Sequence, residues 1–590
     1  MEIAMTRGGA WLFEDATDAD VFTPERLSDE HRLMARTTDE FIDSEVLPNL
    51  ERLETKDWAL ARSLLHRAGD LGLLGINVPE QYGGVDLDKI SSLIVAERIA
   101  RAASFATSYG GQANLCIVPI ALFGTDAQKE KYLPKLVSGE WIGAYALSEV
   151  GSGSDALAAK TKATRDSDGA WRLSGEKMWI TNGGFADVII IFAKVDGEHF
   201  TAFIVEKSFP GVSSGNEEHK MGLHGSSTTP IVLQDARVPA DNVLGEVGKG
   251  HKVALNTLNF GRFKLGGMSV GGCRAAIAAS AAYAIARKQF GHSIASFGAI
   301  RHKVGEMTAR TYAIESLVYR TGGLIDATLH GSGASNGAAV AHAFEEYAVE
   351  ASIAKVAGTE TLDYVLDENV QIHGGNGFVK DYSAERYYRD ARVNRIFEGT
   401  NEINRLLIPG MLIRRALKGE LPLIAAAKQL QDELLAPSLT SRTTGDEQPL
   451  DEEMRTVGAF KKIALMVVGT AMQTYGQKLN DEQEVLGYAA DILIDTYAAE
   501  SAALRARAAT VTDRQRIELH QAAARCYVND AAQRVEHAAR SGLAAMAEGD
   551  NLRTLLAALR RLMKNTPVNT VELRRRLADA TFDRGRYIFD

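Results

Sequence analysis

The order of hydrophobic patterns along the chain is the feature that most constrains its fold. Apolar residues recur at helical spacing before residue 143, as in Arg62–Leu74 and Ile90–Ala100, and again after residue 249. Between these blocks, residues 143–248 hold short β-rich runs separated by Gly, Asp and Ser. This order predicts a mainly α protein with an inserted β domain, which we interpret as a small antiparallel barrel or sandwich.

The 590 residues are too many for one compact core, so we expect several domains. Residues 255–288 are rich in Ala and Gly and contain no proline, which predicts one long, closely packed helix. A polar, turn-rich interval around 436–454 is typical of a linker. The predicted parts are an N-terminal tail (1–23), a helical domain (24–142), a β domain (143–248), a second helical domain (249–415), a linker (416–454) and a helical extension (455–590).

Composition excludes several classes of protein. The net charge of -10 gives no electrostatic reason to expect a nucleic-acid partner. Cys116, Cys273 and Cys526 form no CxxC pair, so we expect no metal site and no disulfide framework. We see neither an apolar run of about 18 residues nor the apolar core of a signal peptide. These features predict a cytoplasmic protein without a transmembrane helix.

The end of the chain departs from this acidic balance. Residues 551–590 contain nine Lys and Arg against four Asp and Glu. Leu555–Lys564 is amphipathic and cationic, which suits peripheral contact of the C-terminal extension with a membrane surface. The alternative is that this segment packs on the protein, with its charges solvated or paired to the acidic body. The sequence leaves both interpretations open.

Three separated groups of motifs carry the chemistry. They are Tyr145–Asp155 with Lys177–Gly184, Arg287–Gly291, and Gln371–Phe378 with Arg395–Ile403. In this order, across residues 24–415, they resemble the acyl-CoA dehydrogenase family. The helical extension makes the chain most similar to the very-long-chain members and their bacterial relatives.

The resemblance implies an N-terminal helical domain, a middle β-barrel and a C-terminal four-helix bundle, followed here by the extra helical domain. It also implies noncovalently held FAD and oxidation of a fatty acyl-CoA to the trans-2-enoyl-CoA, as in fatty acid β-oxidation. The implied electron acceptor is an electron-transferring flavoprotein. An acyl-CoA oxidase that uses O2, a flavin monooxygenase, and a non-catalytic FAD-binding scaffold or nucleic-acid-binding relative remain alternatives.

Abstraction of a weakly acidic proton next to a thioester requires a positioned carboxylate. Glu398 aligns with the family's general base. We expect its apolar neighbour Phe397 to raise its pKa and Gly399 to let the thioester approach closely. Thr400 is suited to cap the next helix, with Glu402 in the first turn.

Some family members carry the base on the long helix instead. The corresponding stretch here, Leu258–Phe263, contains no carboxylate, which favours Glu398. Within it, the resemblance gives Asn259 and Arg262 as candidate substrate contacts, with plain helix packing as the alternative. Phe397 and Gly399 are further substrate candidates.

The resemblance also assigns FAD contacts. Trp179 has an alternative role as a core aromatic, His373 is expected to be structural, and Glu149 and Asp155 are expected to fix loop geometry. Because Arg287, Gln289 and Phe290 would reach FAD from a neighbouring subunit, a homodimer is expected. The assigned contacts are Tyr145, Leu147, Ser148, Trp179 and Thr181 at the flavin; Ser154 at FAD phosphate or CoA; and Arg287, Gln289, Phe290, Gln371, Gly374, Gly375, Thr400 and Glu402 elsewhere on FAD.

Substrate length depends on the bottom of the acyl pocket, which the family places in the N-terminal helical domain. Gly110 and Gly111 in Ala106–Leu115 would leave space for a long alkyl chain. The alternative is that these glycines serve helix packing or a turn. The extension also favours a long-chain substrate by resemblance.

Overall fold

The computed structural model describes residues 6–330, 336–435, 448–509 and 513–589. Helices surround a sheet whose eight strands lie between Gly143 and Leu244. The predicted mainly α fold with an inserted β domain is therefore confirmed.

Helices of the N-terminal domain begin at polar caps. Ser28, Asp57, Asp88 and Thr125 each accept a hydrogen bond from the backbone N–H three residues later, which satisfies a donor without a partner inside the helix. A π-helical segment, Gly111–Ile117, follows the fifth helix. The helices are α1 (Asp29–Phe41), α2 (Leu50–Glu54), α3 (Trp58–Asp70), α4 (Lys89–Ile99), α5 (Ala103–Gly110), α6 (Val118–Phe123) and α7 (Asp126–Val137).

The β domain is one twisted layer of mixed strand direction. Its strands are β1 (Gly143–Ala146), β2 (Lys162–Arg165), β3 (Trp171–Thr181), β4 (Val188–Val195), β5 (His199–Glu206), β6 (Val212–Ser214), β7 (Thr228–Val238) and β8 (Val243–Leu244). Their spatial order is β6-β7-β3-β2-β4-β5-β8, with β1 beside β4. Because β4 runs parallel to β1 and β2, the purely antiparallel arrangement predicted from sequence is wrong. The connections through β2 and β3 are long enough for these parallel pairings.

Helix α8 (Gly250–Ala286) runs through the centre of the second helical domain. Its glycines permit close packing, since a Cβ at Gly267 would overlap Leu93 and one at Gly271 would overlap the Glu97 carbonyl. Among the described residues α8 is the helix long and apolar enough to cross a membrane by composition, but 56% of its most apolar window is buried inside the protein. This burial is typical of a core helix.

The long helix starts five residues before the predicted position and ends before Arg287. The predicted cofactor residues after it therefore lie on a short hairpin, β9 (Lys288–Gln289) and β10 (His292–Ser293). The bundle is completed by α9 (Gly298–Leu329), α10 (Gly337–Glu346), α11 (Ala348–His373), α12 (Ser383–Ala391) and α13 (Asn401–Leu417).

The extension consists of further long helices that share a hydrophobic core with the bundle. Residues 436–447 of the predicted linker lie outside the described residues. The parts of that linker at 423–435 and 451–454 are helical, so the assignment of a linker to them is wrong. In the first of these parts, Leu423, Ala426 and Leu430 pack on neighbouring helices. The helices are α14 (Leu423–Leu435), α15 (Asp451–Tyr475), α16 (Gln483–Ala508), α17 (Arg514–Met546), α18 (Gly549–Leu562) and α19 (Thr570–Arg584).

A buried ionic network joins the extension to the second helical domain. Arg505 of α16 pairs with Glu315 of α9 and, at 2.7 Å, with Glu25 near the N-terminus. Glu315 also accepts a hydrogen bond from Tyr587 (2.9 Å) and pairs with Arg274 of α8. Removing one partner of such a network leaves an uncompensated buried charge.

The predicted N-terminal tail is bound to the protein over its described residues. The Glu350 carboxylate of α11 accepts hydrogen bonds from Gly9 N–H (2.6 Å) and Trp11 Nε1 (3.0 Å). The Trp11 ring contacts Tyr497 of α16, with centroids 5.0 Å apart. These contacts bridge the bundle and the extension.

The basic C-terminal segment packs on the body. The apolar side of α18 faces the large helical core, and Leu577, Tyr587 and Phe589 are buried. Arg574 of α19 is 7% exposed and pairs with Glu306 (2.7 Å) and Asp530. Because the protein covers the apolar face of the segment, the structure favours docking over membrane contact.

This docking predicts a difference between two neighbouring arginines. Arg574→Met leaves Glu306 and Asp530 without their buried cation, and we expect the melting temperature to fall by about 5 °C or more. Arg576→Met removes an exposed pair with Glu572, and we expect a change within about 1 °C. Differential scanning calorimetry measures both. Equal melting temperatures would show that α19 is not anchored through Arg574.

Candidate active site

The predicted base lies at a strained junction between the bundle helices. Glu398 has φ 57° and Gly399 has φ 77°. A non-glycine residue pays an energetic cost in this left-handed region and adopts it only where its surroundings enforce it. Trp179 (φ 59°) and Phe290 (φ 53°), two other predicted site residues, share this conformation.

Side chains from three helices hold the junction. Arg262 Nε of α8 donates to the Glu398 carbonyl (3.1 Å), and Lys355 Nζ of α11 donates to the Gly399 carbonyl (2.8 Å). Asn404 Nδ2 of α13 donates to the Gly399 carbonyl at 2.9 Å. As predicted from sequence, Thr400 caps α13 by accepting the Ile403 N–H (3.2 Å). The carbonyls around Glu398 are therefore fixed from several directions.

The Glu398 side chain is partly buried beside the helices that hold the junction. Its Oε2 atom is buried and has no hydrogen-bond partner among the described residues. Burial raises the pKa of Glu398 to about 7, and the cations Arg262 and Lys355 offset this only in part. A buried carboxylate without a partner at neutral pH is suited to accept a proton.

The base fits against the long helix because of Gly261. A Cβ at this position would lie 2.7 Å from the carboxylate atoms of Glu398. Any side chain at position 261 therefore displaces the Glu398 carboxylate. The structure thus places the predicted base, Glu398, against Gly261, which lies in the stretch of α8 without a carboxylate.

Two other predicted substrate residues lie beside the base. Arg262 is 4% exposed and its Nη1 donates to Asn259 Oδ1 (2.9 Å). Asn259 Nδ2 donates weakly to the Phe344 carbonyl (3.4 Å). Both side chains are buried and partnered, so they are fixed next to the Glu398 junction rather than on a helix surface.

Tyr145 also approaches Glu398. Burial, with a further contribution from the Glu398 charge, raises the pKa of Tyr145 well above its ordinary value. Its hydroxyl is buried without a hydrogen-bond partner among the described residues. A bound group with polar atoms would satisfy this hydroxyl and Glu398 Oε2 together.

The other predicted cofactor residues range from buried to exposed. Leu147 is buried, Ser148 and Thr181 are partly buried, and Trp179 is 57% exposed on β3. At the end of α11, a Cβ on Gly374 or Gly375 would meet no atom of the described residues within 4 Å. The remaining predicted residues, all exposed except partly buried Thr400, are Ser154, Arg287, Gln289, Phe290, Gln371, Thr400 and Glu402.

Gly110 and Gly111 differ in their surroundings. A Cβ on Gly111 would lie 3.1 Å from Thr181 and Asn182 atoms, so Gly111 serves packing against the end of β3. A Cβ on Gly110 would meet only Asn114 Nδ2, at 3.7 Å, among the described residues. Gly110 is therefore the member of the pair that leaves space beside α5.

Comparison with known proteins now identifies the family. Models of the acyl-CoA dehydrogenase N-terminal, middle and C-terminal domains match residues 28–140, 144–236 and 248–412, and a further acyl-CoA dehydrogenase C-terminal model matches 459–561. The chain belongs to the acyl-CoA dehydrogenase family. A probable acyl-CoA dehydrogenase of Bacillus subtilis (strain 168) is 48% identical over 586 residues, 98% of each chain.

A solved structure and a mammalian relative add detail. The crystal structure of an acyl-CoA dehydrogenase complexed with FAD from Bacillus anthracis has a TM-score of 0.96 and 48% identity, covering 99% of this chain and 100% of that one. The very long-chain specific acyl-CoA dehydrogenase of Rattus norvegicus is 37% identical over 386 residues, 64% of this chain and 56% of its own length.

In this acyl-CoA dehydrogenase, Glu149 fixes the motif after β1. Its carboxylate pairs with Lys177 Nζ (2.7 Å) and accepts from the Thr161 hydroxyl (2.6 Å) and the Lys160 N–H (2.6 Å). Burial opposes ionisation, but these donors outweigh it and lower the pKa of Glu149 to about 2. Asp155 contributes a carbonyl that accepts from Ser152 (2.8 Å). Both contacts restrain the Tyr145–Asp155 loop.

His373 contacts a backbone carbonyl and an aromatic ring, and among the described residues no acidic side chain pairs with it. Its Nδ1 contacts the Asn369 carbonyl (2.7 Å), and its ring stacks on Tyr283 with centroids 4.3 Å apart. Burial lowers its pKa. These contacts make His373 part of the helix end that carries Gly374.

Sequence reasoning missed Lys355, Gly261 and Asn404. The signal for Lys355 was a lone cation within the apolar run Ala351–Ala357, which predicts a buried charge needing a partner. Gly261 lies in Leu258–Phe263, the stretch that contains no carboxylate. Its contact with Glu398 depends on how α8 packs against the segment before α13.

The Glu149 contacts generate a prediction with a definite pH dependence. Because the folded pKa is depressed, the stabilisation is present above about pH 5 and is lost as the pH falls towards 2. We expect Glu149→Gln to lower the melting temperature by about 5 °C at pH 7, with a gap to wild type that narrows below pH 4. Circular dichroism across this pH range measures the gap.

The matched control is Glu176→Gln, which changes an exposed glutamate on the same strand as Lys177. We expect its melting temperature to equal that of wild type at every pH. A constant gap for Glu149→Gln down to pH 2 would contradict the assigned ionisation of Glu149.

Proposed function

We propose that this enzyme carries out the FAD-dependent α,β-dehydrogenation of a fatty acyl-CoA to the trans-2-enoyl-CoA, in fatty acid β-oxidation. The single observation that carries the proposal is the Glu398 carboxylate, whose Oε2 atom is buried without a hydrogen-bond partner among the described residues and whose pKa is raised to about 7 by burial. A carboxylate with a pKa near 7 exchanges its proton readily at neutral pH. That condition suits abstraction of the weakly acidic proton next to a thioester.

The residues around the base have separate tasks in this reaction. Glu398 takes the α proton at its free oxygen. Arg262 and Asn404 hold the carbonyls of Glu398 and Gly399, which restrains the backbone that carries the carboxylate. Gly261 leaves the space that the carboxylate needs. Exclusion of water from the site strengthens the base and the electrostatic contacts made there.

The described residues fit a flavin. Two buried polar atoms, Tyr145 Oη and Glu398 Oε2, have no hydrogen-bond partner in the described part of the chain, and the Trp179 ring and the Gly374–Gly375 backbone are accessible. Tyr145, Leu147, Ser148, Trp179 and Thr181 would hold the ring system. When bound, FAD supplies the acceptor for the hydride that leaves the β carbon.

The family resemblance supports an electron-transferring flavoprotein as the acceptor that reoxidises the flavin. An acyl-CoA oxidase would instead deliver the electrons to O2. A non-catalytic FAD-binding scaffold or nucleic-acid-binding relative is less favoured, because neither has a use for a buried, unpartnered base and the net charge is -10. A cytoplasmic location remains a prediction from the sequence.

A long acyl chain is the finer part of the proposal. Support comes from the similarity to the very long-chain specific enzyme of Rattus norvegicus and from the helical extension matched at 459–561. The open side of Gly110 is compatible with this substrate class. Gly111 packs against the end of β3 and leaves no space for an alkyl chain.

The reaction predicts bleaching of bound flavin by substrate. In anaerobic titrations of the FAD-loaded enzyme with saturated acyl-CoAs of graded length, we expect loss of flavin absorbance, most completely with long chains. Admitting O2 afterwards separates the two enzyme classes, since slow recovery of absorbance indicates a dehydrogenase and fast recovery an oxidase. Absence of bleaching with every acyl-CoA would overturn the proposed activity.

Glu398→Gln tests the base. We expect this variant to bind FAD and acyl-CoA with unchanged affinity and to lose at least about 10³-fold in the rate of bleaching, since the amide cannot accept the proton. Glu536→Gln, on the exposed face of α17, should bleach like wild type. Normal bleaching by Glu398→Gln would show that the base is assigned to the wrong residue.

The exposed hairpin supports a homodimer. Phe290 is 91% exposed with a positive φ, and Arg287 and Gln289 beside it are exposed as well. A strained, exposed aromatic next to an arginine is expected where a second subunit covers it. In the proposed dimer these residues complete the FAD site of the neighbouring subunit.

Phe290→Glu is expected to weaken the dimer and FAD binding together. The charge would be buried without a partner in the interface, which predicts a loss of at least about tenfold in FAD affinity. Analytical ultracentrifugation and flavin fluorescence measure the two effects. Leu33→Glu is the matched control, because Leu33 is an exposed apolar side chain on α1. A Phe290→Glu dimer with full FAD affinity would place the hairpin outside the interface.

A further inference from the structure

Lys355 is a buried cation that contacts the segment carrying the proposed base. It lies in α11 with no exposed surface. Its Nζ atom donates to the Gly399 carbonyl (2.8 Å) and to Asn401 Oδ1 (2.6 Å). These acceptors flank Thr400, the cap of α13. The ammonium group therefore joins α11 to the Glu398–Gly399 junction.

A neutral donor already serves the same carbonyl. Asn404 Nδ2 lies 2.9 Å from the Gly399 carbonyl, so that acceptor is satisfied without the lysine. Burying an ammonium group is unfavourable unless its charge interacts with a nearby anion. What Lys355 adds beyond the hydrogen bond is a positive charge near the Glu398 carboxylate.

The charged and titratable groups around the pair come from several elements. Arg262 faces it from α8, Tyr145 from β1, Glu360 from α11 itself and Glu402 from α13. Burial lowers the pKa of Lys355 to about 7, although the Glu398 charge opposes this change. Lysine and glutamate therefore change charge over the same pH range and influence each other.

Lys355 and Glu360 also anchor the start of α13. Asn401 Nδ2 donates to Glu360 Oε1 (3.0 Å) and to Thr359 Oγ1 (3.1 Å), while its Oδ1 accepts from Lys355. Arg405 of α13 pairs with Glu360 at 2.6 Å. The cation is thus held at a fixed place relative to the junction rather than on a mobile side chain.

We propose that Lys355 is a positioning residue for Glu398, which holds the base loop through the Gly399 carbonyl and whose positive charge favours the ionised form of the base. Its catalytic consequence rests on the proposed function, whereas its effect on Glu398 does not. Loss of the charge makes Glu398 harder to ionise. Loss of the hydrogen bond alone affects the geometry of the loop.

The test uses the FAD-loaded enzyme and five substitutions. Lys355→Met removes the charge and the donor, Lys355→Gln removes the charge and keeps a donor, and Lys355→Arg keeps both. Lys264→Met is the matched control, because Lys264 is equally buried but donates to Ser92 in α4. Infrared titration follows the carbonyl stretch of protonated Glu398, identified by its loss in Glu398→Gln. Stopped-flow bleaching by an acyl-CoA over the same pH range gives the rate.

We expect the infrared midpoint to rise by about one pH unit in Lys355→Met and Lys355→Gln, the size expected for loss of a nearby opposite charge. The pH at which the bleaching rate reaches half of its maximum should rise by the same amount. This change lowers the bleaching rate at pH 7 about fivefold. Lys355→Arg should restore the midpoint to within about 0.3 unit of wild type. Lys264→Met should lower the melting temperature but leave the midpoint unchanged.

An unchanged midpoint in Lys355→Gln would overturn the proposal, and so would an equal shift in Lys264→Met. Lys355→Gln keeps the test decisive if Lys355→Met fails to bind FAD. If no variant, nor wild type, bleaches with acyl-CoA but the infrared midpoint shifts, the proposed function fails and the role of Lys355 stands. If wild type bleaches with acyl-CoA but the infrared midpoint does not shift in the Lys355 variants, the proposed function stands and the role of Lys355 fails.

Discussion

The proposed chemistry of this protein depends on a carboxylate, that of Glu398, which forms no ion pair among the described residues. The Glu398 Oε2 atom has no hydrogen-bond partner among the described residues, and the nearby cations Arg262 and Lys355 donate to the backbone carbonyls of Glu398 and Gly399. Burial raises the pKa to about 7, while Arg262 and Lys355 keep the ionised form accessible. A direct salt bridge would stabilise the carboxylate and remove its capacity to take a proton.

That arrangement requires a rigid frame. The left-handed backbone at Glu398 is held by donors from α8, α11 and α13, so the packing of these three helices fixes the base. The bundle is in turn tied to the extension through the network around Glu315 and through the N-terminal segment bound to Glu350. The extension therefore belongs to the structural support of the catalytic bundle, and its basic end is part of that support.

Much of the site could be predicted from the sequence because several of its residues lie in motifs with local signals. Thr400 and Glu402 follow the pattern of a helix start, and the glycines after α11 mark an open backbone. Gly261 and Lys355 gave weaker signals, since their roles arise from residues more than 40 positions away. The prediction of a purely antiparallel sheet was wrong for a related reason. Strand β4 pairs in parallel with β1 and β2, which do not adjoin it along the chain.

The sequence by itself determined the succession of helical and β domains and the long central helix, because hydrophobic period, proline absence and capping residues act over a few neighbouring positions. The assignment of Glu398 as the base rests on the family motif rather than on these local patterns. Only the tertiary structure decided the ionisation of Glu398, the close approach of Gly261, the buried cation at Lys355 and the docking of the C-terminal segment. These properties depend on burial and on charge separations of a few ångströms, which arise when remote segments pack together.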